Sequence, residues 1–280
     1  MTAPPGDTGV GDPGADDAPV RALFFGSGEF ALPILERLAA APQIELVGVV
    51  TAPDRPAGRR ASLTPTPVAT AARARDLTLL QPASLRTPAA EEDLAALKPG
   101  VAILADYGRL VPDPILGIPG RGFLNVHPSL LPRHRGATPI PAAILDGDGE
   151  TGVTLFEMDE QLDHGPIVDA RSMSIPASST AAALERELAT LAAALLGDSL
   201  APWLAGDLRA RPQDESGATL TRPLRRADGH LDANRPAAAL ERQVRAYDPW
   251  PGTFLEVRSG RLGVRRAATA PSRAGDRPVT

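Results

Sequence analysis

Five short apolar runs recur between residues 22 and 126, and turns, polar loops or helical patterns separate them. The runs cover residues 22–25, 46–50, 78–80, 101–105 and 122–126. Short apolar runs bounded by turn signals indicate buried strands. Strands that alternate with helical segments indicate a parallel sheet with helices on both faces. Ligands bind beyond the carboxyl ends of the strands in such sheets, which directs attention to the residues that follow Val126.

The remaining chain divides into a longer α/β part and a shorter second part. Strands are predicted over residues 152–158 and 166–169, and a helix over 180–196 whose leucines repeat at helical spacing and are interpreted as core. Residues 206–217 are rich in Pro, Gly and charge and predict a linker. A helix over 237–247 and short β-like pieces follow. We therefore expect a disordered tail over 1–20, one domain over 21–206 and a smaller one over 207–280.

Composition excludes several classes of protein. The 280 residues include no Cys, which excludes disulfides, thiolate catalysis and Cys-ligated zinc. No apolar run is expected to reach the roughly 18 residues of a membrane span. Residues 1–19 lack the basic and apolar segments of a signal peptide. These features predict a cytoplasmic protein.

The net charge of −5 conceals an asymmetry along the chain. From Asp207 onward there are 14 Arg and nine acidic residues, a balance of +5, so the preceding residues carry −10. A basic end on an acidic body suggests an anionic partner such as nucleic acid for the C-terminal part. The alternative is that Arg is simply scattered over a small, well-solvated domain.

The first predicted strand runs into a glycine turn, Gly26-Ser27-Gly28-Glu29-Phe30-Ala31. It fits the dinucleotide-binding pattern Gly-x-Gly-x-x-Ala and lies between a strand and a helix, as that pattern requires. The acid that should end the second strand is missing, because that strand ends Val49-Val50-Thr51. A plain turn from strand to helix is therefore the favoured interpretation over nicotinamide binding.

Residues 125–136 carry the clearest chemistry, in the order Asn-Val-His-Pro-Ser-Leu-Leu-Pro-Arg-His-Arg-Gly. Residues two apart share a face of a strand, so Asn125 and His127 are predicted to lie side by side at the strand's carboxyl end. An amide can donate to a developing oxyanion, and an imidazole can share a proton near neutral pH. The pair suits a tetrahedral intermediate at a carbonyl carbon. The alternative from the residues alone is a structural histidine at a strand end.

Asp163 lies in a second polar segment, residues 158–166, between two predicted strands. A carboxylate there could orient an imidazole or accept a proton from an attacking amine. A solvated Asp in a turn is the alternative. His127 is not interpreted as a zinc ligand, because no second ligand lies at helical spacing from it.

Together these motifs resemble those of a known family. Asn-x-His, then Ser-Leu-Leu-Pro-x-x-Arg-Gly, then a Leu-Asp-x-Gly loop is similar to the formyltransferases that use 10-formyltetrahydrofolate. Within that family the chain most resembles the members that act on methionyl-tRNA. Four further stretches carry this closer likeness: FFGSGEFALPILERL, TAPDRPAGR, QPASLR and RAYDPWPGTFLEV. The resemblance extends from about Arg21 to Val264.

The resemblance implies both a fold and a reaction. It implies a Rossmann-like, mostly parallel sheet domain over 21–206 and an OB-like β-barrel over 207–280 that binds tRNA. The reaction is formyl transfer from 10-formyltetrahydrofolate, a co-substrate, to the α-amine of initiator methionyl-tRNA for translation initiation. No metal is implied, and a monomer is expected.

The resemblance also implies roles for named residues. The catalytic residues are Asn125, His127 and Asp163. The folate-binding residues are Ser129, Leu130, Leu131, Pro132, Tyr107 and Gly108. The loop 54–60 is expected to meet the acceptor end of the tRNA through Arg55, Arg59 and Arg60.

Two departures from the family pattern stand out. Asp106 occupies a position before Tyr-Gly where relatives usually have a small apolar residue, so a carboxylate is expected either to disturb the folate pocket or to face water. Residues 267–280 do not resemble strands, so the barrel is expected to be incomplete.

Three alternative functions stay open. A formyltransferase acting on a small amine, such as an amino-sugar nucleotide or glycinamide ribonucleotide, shares the trio and the Ser-Leu-Leu-Pro loop but generally lacks PDRPAGR. An inactive tRNA-binding remnant is suggested by the shortened barrel and opposed by the intact trio. A nicotinamide-dependent reductase is suggested by the glycine turn alone.

Overall fold

A seven-stranded sheet forms the centre of the larger unit. The computed structural model describes residues 18–57, 62–258 and 260–270. The strands within these ranges are β1 (Val20–Gly26), β2 (Ile44–Val50), β3 (Arg55–Ala57), β4 (Ser62–Thr64), β5 (Leu79–Leu80), β6 (Val101–Ala105), β7 (Phe123–His127), β8 (Arg135–Gly136), β9 (Glu150–Glu157), β10 (Ile167–Ser174), β11 (Leu220–Thr221), β12 (Thr253–Val257) and β13 (Gly260–Val264). The central sheet has the order β10-β9-β7-β6-β1-β2-β5. The five strands from β7 to β5 run parallel, and β9 pairs antiparallel with both β7 and β10.

Helices cover both faces of this sheet. They are α1 (Ala31–Ala39), α2 (Pro67–Ala74), α3 (Pro88–Ala96), α4 (Asp113–Leu116), α5 (Pro139–Asp146), α6 (Ala181–Ala205) and α7 (Ala237–Ala246). Helices α2 and α3 begin alike, with a threonine side chain that accepts a backbone N–H and a proline in the first turn. Phe24 packs into the core shared with α1 and α6, whereas Phe25 packs into the core shared with α3 and α4. The predicted architecture, a mostly parallel sheet with helices on both faces, is confirmed.

The elements differ from the sequence predictions mainly at their ends. All five apolar runs are strands, although the third shortens to Leu79–Leu80. The strand predicted over 166–169 continues to Ser174, and the helix predicted over 180–196 continues to Ala205. Part of the basic loop forms the hairpin β3–β4, which polar residues had concealed.

Helix α6 has the length and apolar composition of a membrane span, so the expectation that no apolar run approaches that length was wrong. An 18-residue window of this helix has a mean hydropathy of 1.4. Residues Leu184, Leu188 and Leu195 are nonetheless buried in the core beside the sheet. The apolar composition of α6 is therefore explained by its packing as a core helix.

The C-terminal part contains α7 and the hairpin β12–β13. Helix α7 packs on α5 of the larger unit, where Arg242 Nε donates to the carbonyl oxygen of Leu145 at 3.0 Å. Strand β11 crosses back to the larger unit and pairs with β8. The OB-like barrel and the division at residue 206 stay predictions.

Candidate active site

Strand β7 brings Asn125 and His127 to one face of the sheet near its carboxyl end. The alternate residues Leu124 and Val126 point into the core shared with α1 and α6. The pleat therefore turns Asn125 and His127 to the opposite face, where they keep 7% and 5% of their surface exposed. This arrangement is the one predicted from their spacing.

The hydrogen bond of His127 determines which ring nitrogen carries a proton. Nε2 lies 3.0 Å from the carbonyl oxygen of His134. Because a carbonyl oxygen only accepts, Nε2 must donate. The other nitrogen, Nδ1, faces Asp163 Oδ2 at 3.7 Å. A doubly protonated imidazole would thus have an acceptor on each side.

Asp163 is held close to this pair by the loop between β9 and β10. Its Oδ2 accepts the backbone N–H of Gly136 at 2.7 Å, and its Oδ1 lies 3.4 Å from Asn125 Nδ2. The side chain is 11% exposed. Its φ of 48° lies in the left-handed region, which is costly for a residue other than Gly, Asn or Asp. The three predicted residues therefore lie together, and their catalytic role stays a prediction.

The segment predicted to hold folate is ordered by its own hydrogen bonds. The Ser129 hydroxyl donates to the carbonyl oxygen of Arg133 at 2.7 Å. Thr154 Oγ1 donates to the carbonyl oxygen of Ser129 at 2.7 Å and accepts the N–H of Leu131 at 3.1 Å. Ser129 is fully buried, whereas Leu130 and Pro132 are partly exposed. Ser129 therefore shapes the loop, and its hydroxyl already has a partner.

Tyr107 and Gly108 take different places at the end of β6. The Tyr107 ring is buried and meets Phe25 edge-on, with centroids 5.5 Å apart. Burial raises the pKa of its hydroxyl, which has no hydrogen-bond partner among the described residues, although the nearby Arg109 guanidinium opposes that rise. Gly108 has φ +72° and open space where a Cβ would lie. Of the two, Gly108 leaves its backbone open to a ligand.

Asp106 faces the glycine turn. A Cβ on Gly28 would clash with Asp106 Oδ2, so the carboxyl fills the space beside that turn. One side of Asp106 meets solvent, yet the protein around the carboxyl raises its pKa to about 7, and the negative charge of Glu185 adds to the shift. A carboxyl at this position opposes a pyrophosphate, which weakens the nicotinamide interpretation.

The structure describes only one of the three arginines predicted to contact tRNA. Arg55 is exposed on β3, while Arg59 and Arg60 lie outside the described residues. Within the ranges that the structure describes, no group of three or more His, Asp or Glu side chains converges as metal ligands would.

Sequence reasoning missed the residues that support the trio. Gly136 and His134 supply a backbone N–H and a backbone carbonyl, and nothing in a residue's identity reveals such contacts. Gln213 donates to the carbonyl oxygens of Asp163 and Gly165 at 2.9 and 2.8 Å, although it lies in the predicted linker. Its partner Arg135 is buried, and a buried Arg needs partners, but that burial is visible only in the structure.

The chain is similar to known proteins in sequence and in fold. A family model described as formyl transferase matches residues 20–200, and one described as formyl transferase, C-terminal domain, matches residues 223–278. The methionyl-tRNA formyltransferase of Chloroflexus aurantiacus is 46% identical over 261 residues, which are 93% of this chain and 84% of that protein.

Two solved structures share the fold. A 4-N formyltransferase from Francisella tularensis has a TM-score of 0.71 and 14% identity, covering 90% of this chain and 99% of that one. HypX from Aquifex aeolicus in complex with tetrahydrofolic acid has a TM-score of 0.60 and 19% identity, covering 85% of this chain and 36% of that one. Identities this low speak for the fold alone.

Proposed function

The chain belongs to the formyl transferase family, and from that premise we propose that it formylates the α-amine of initiator methionyl-tRNA. The formyl donor is 10-formyltetrahydrofolate, and the products are N-formylmethionyl-tRNA and tetrahydrofolate. The observation that carries the proposal is the convergence of buried Asn125 and His127 with the largely buried Asp163 at the carboxyl edge of the sheet. Likeness to a methionyl-tRNA formyltransferase over 93% of the chain supports the choice of amine.

The reaction centre lies where the three side chains face one another. The amine attacks the formyl carbon, and the carbonyl oxygen becomes an oxyanion to which Asn125 Nδ2 donates. His127 shares a proton with the reacting groups through Nδ1, because Nε2 donates to the carbonyl oxygen of His134. Asp163 faces Nδ1 and accepts the proton that the amine loses. The intermediate then breaks its bond to N10, and N10 takes the amine's proton back from Asp163 as tetrahydrofolate leaves.

The donor is held by the loop 129–132 and by the backbone at Gly108. Open space around the Gly108 Cα lets a flat ligand approach the chain closely. Leu130 and Pro132 supply apolar surface, and Leu131, Ser129 and Tyr107 support it from the buried side. Asp106 faces the glycine turn at Gly28 and is not one of the residues proposed to hold the donor.

The tRNA is held by exposed arginines outside the site formed by the trio and the folate-binding loop. In the C-terminal part these are Arg222, Arg225, Arg226, Arg235, Arg258, Arg261, Arg265 and Arg266. Phosphate contacts from such side chains give affinity that falls with salt. Arg55 on the hairpin β3–β4 is a further contact, to the acceptor end. In this proposal residues 21–206 perform the chemistry, residues 207–280 bind tRNA, and the protein works as a cytoplasmic monomer.

The test is formyl transfer by the purified protein. With 10-formyltetrahydrofolate and charged initiator tRNA, release of tetrahydrofolate should accompany formation of N-formylmethionyl-tRNA. An amino-sugar nucleotide in place of the tRNA should give no release. Turnover with the sugar and none with the tRNA would reverse the assignment of the amine.

A further inference from the structure

Residues 211–221, the support segment, lie against the catalytic motifs and do not hang free between two units. Arg211 forms a β-bridge with Ile167 just beyond the Asp163 loop. At its other end, β11 pairs in parallel with β8, which carries the Gly136 N–H that binds Asp163. Gly136 has φ +104°, and a Cβ there would clash with the carbonyl oxygen of Thr221. The segment therefore approaches as closely as a glycine permits.

Gln213 joins this segment to the catalytic loop with both ends of its amide. Nε2 donates to the carbonyl oxygens of Asp163 and Gly165 at 2.9 and 2.8 Å. Oε1 accepts from Arg135 Nε and Nη2 at 3.0 and 2.7 Å. Arg135 is 7% exposed and makes two further bonds to the carboxylate of Glu215. Every polar atom of the Gln213 side chain is thus engaged.

Gln213 gives the catalytic loop an external support. Asp163 has a left-handed φ of 48°, which Asp adopts more readily than most residues, so bonds to the loop backbone are needed to fix this conformation. Two bonds from one amide, on either side of His164, hold the backbone at this turn. Glu215 lies 3.6 Å from His164 Nε2, and Asp159 lies 2.6 Å from His164 Nδ1. These contacts leave the Asp163 carboxylate free to face the site.

The same segment also supports the second catalytic side chain. His134, whose carbonyl accepts the His127 Nε2 proton, has φ 58° and donates its own N–H to Thr219 Oγ1 at 2.7 Å. Thr219 further accepts from the Arg135 N–H and donates to the Pro132 carbonyl. The acceptor of His127 and the backbone of Asp163 therefore depend on residues only six apart.

We propose that the support segment positions the catalytic trio and that Gln213 is its principal positioning residue. Gln213 acts through the backbone of Asp163 and does not touch substrate. This inference rests on the proposed formyl transfer for its kinetic consequence. Its structural consequence, that Gln213 holds the loop, can be tested without any enzymatic activity.

The decisive variant is Gln213→Glu, which preserves size and the acceptor for Arg135 but removes both donated bonds. Displacing a reacting group by about 1 Å can cost about 100-fold in rate. We expect kcat to fall about 10–100-fold, with KM for both substrates within about 2-fold of wild type. Backbone amides of residues 159–165 should exchange with deuterium faster than in wild type, while the rest of the larger unit keeps its protection.

The matched control is Gln161→Ala, an exposed glutamine on the same loop. It should keep wild-type kcat and wild-type exchange. Gln213→Met, which retains length without donor or acceptor, should reproduce the loss seen in Gln213→Glu. Wild-type kcat and unchanged exchange in both Gln213 variants would overturn the proposal, as would unfolding of both. An inactive wild type would count against formyl transfer, and the exchange comparison would still decide the role of Gln213.

Discussion

The candidate active site around Asn125, His127 and Asp163 (the cleft) and the exposed arginines of the C-terminal part (the basic surface) use charge in opposite ways. In the cleft, His127 and Asp163 expose 6% and 11% of their side chains, and backbone groups hold their polar atoms. On the basic surface, Arg261 and Glu256 pair at 3.5 Å with side chains 66% and 63% exposed. Exposed pairs of that kind contribute about 0–1 kcal/mol. The candidate active site holds its charged groups in fixed positions, whereas the basic surface supplies only a positive electrostatic field.

The difference predicts how each region responds to change. Groups that act as a unit in one geometry lose nearly everything when one is removed. Charges that contact a polyanion from a solvated surface contribute separately, because each releases its own counterions. Substitutions in the cleft should therefore have large effects on kcat, and substitutions on the basic surface should have small, additive effects on tRNA binding.

The largest expected effect comes from His127→Ala. It removes the ring that shares a proton with the reacting groups, a role typically worth about 10²–10⁴-fold. Steady-state kinetics should show kcat reduced by about that factor, with KM for methionyl-tRNA near that of wild type. His230→Ala, at an exposed histidine of the C-terminal part, is the control and should retain activity. Near-normal kcat in His127→Ala would remove the ring from the mechanism.

Asn125→Ala should cost slightly less, about 10²–10³-fold in kcat, because one donor to the oxyanion is lost. Its thermal unfolding should change little, since its 3.4 Å contact with Asp163 is long for a hydrogen bond. Single-turnover rates at saturating donor separate this loss from weaker binding. A raised KM with unchanged kcat would assign Asn125 to binding alone.

The cleft was predictable from sequence to the extent that it depends on periodicity. Two-residue spacing placed Asn125 and His127 on one face, and five apolar runs located the sheet edge. The positions that support them were not predictable. Asp163 and His134 depend on left-handed backbone and on bonds to Gly136, Gln213 and Thr219. Backbone contacts between segments tens of residues apart leave no composition signal.

The basic surface shows the reverse pattern. Counting Arg against acidic residues identified its charge, because an exposed field depends on composition more than on exact positions. The helix predicted over 237–247 is α7, and the predicted β-like pieces form the hairpin β12–β13. The contacts of the segment before them were not predicted. The predicted linker, residues 206–217, contains Arg211, which forms a β-bridge with Ile167, and β11 follows it and pairs with β8. The Pro, Gly and charge content of the segment concealed these contacts.

Salt separates the two regions experimentally. Each phosphate contact should contribute about 0.7–0.9 to the slope of log affinity against log salt. With three or more contacts, kcat/KM for methionyl-tRNA should fall at least about 10-fold between 50 and 200 mM salt, while KM for 10-formyltetrahydrofolate changes far less. Arg265→Ala should reduce the magnitude of this slope by about 0.7–0.9, the contribution of one phosphate contact. Arg86→Ala, an exposed arginine near α3, should not. Equal salt sensitivity for both substrates would remove the distinction between the regions.

The smallest expected effect concerns Asp106, a polar group near the cleft that lacks the anchoring of the trio. Its folded pKa of about 7 lies above the ordinary value of 3.8, mainly because the protein on one side of the carboxyl displaces water and then through the charge of Glu185. The folded state therefore holds a proton that the unfolded state releases between about pH 4 and pH 7. The ionised carboxyl consequently costs stability that grows across this range and stays constant above it.

Asp106→Asn should therefore stabilise the protein at pH 8 and leave it nearly unchanged at pH 4. Because solvent reaches the carboxyl, we expect a gain of roughly 1 kcal/mol, or about 2–4 °C in Tm. Asp76→Asn is the matched control, since Asp76 is exposed and has a φ of 53° close to the 46° of Asp106. Any general benefit of Asn in left-handed backbone appears in both variants at both pH values. A gain in Asp106→Asn that was equal at pH 4 and pH 8 would show that the unanchored carboxyl near the cleft carries no electrostatic cost.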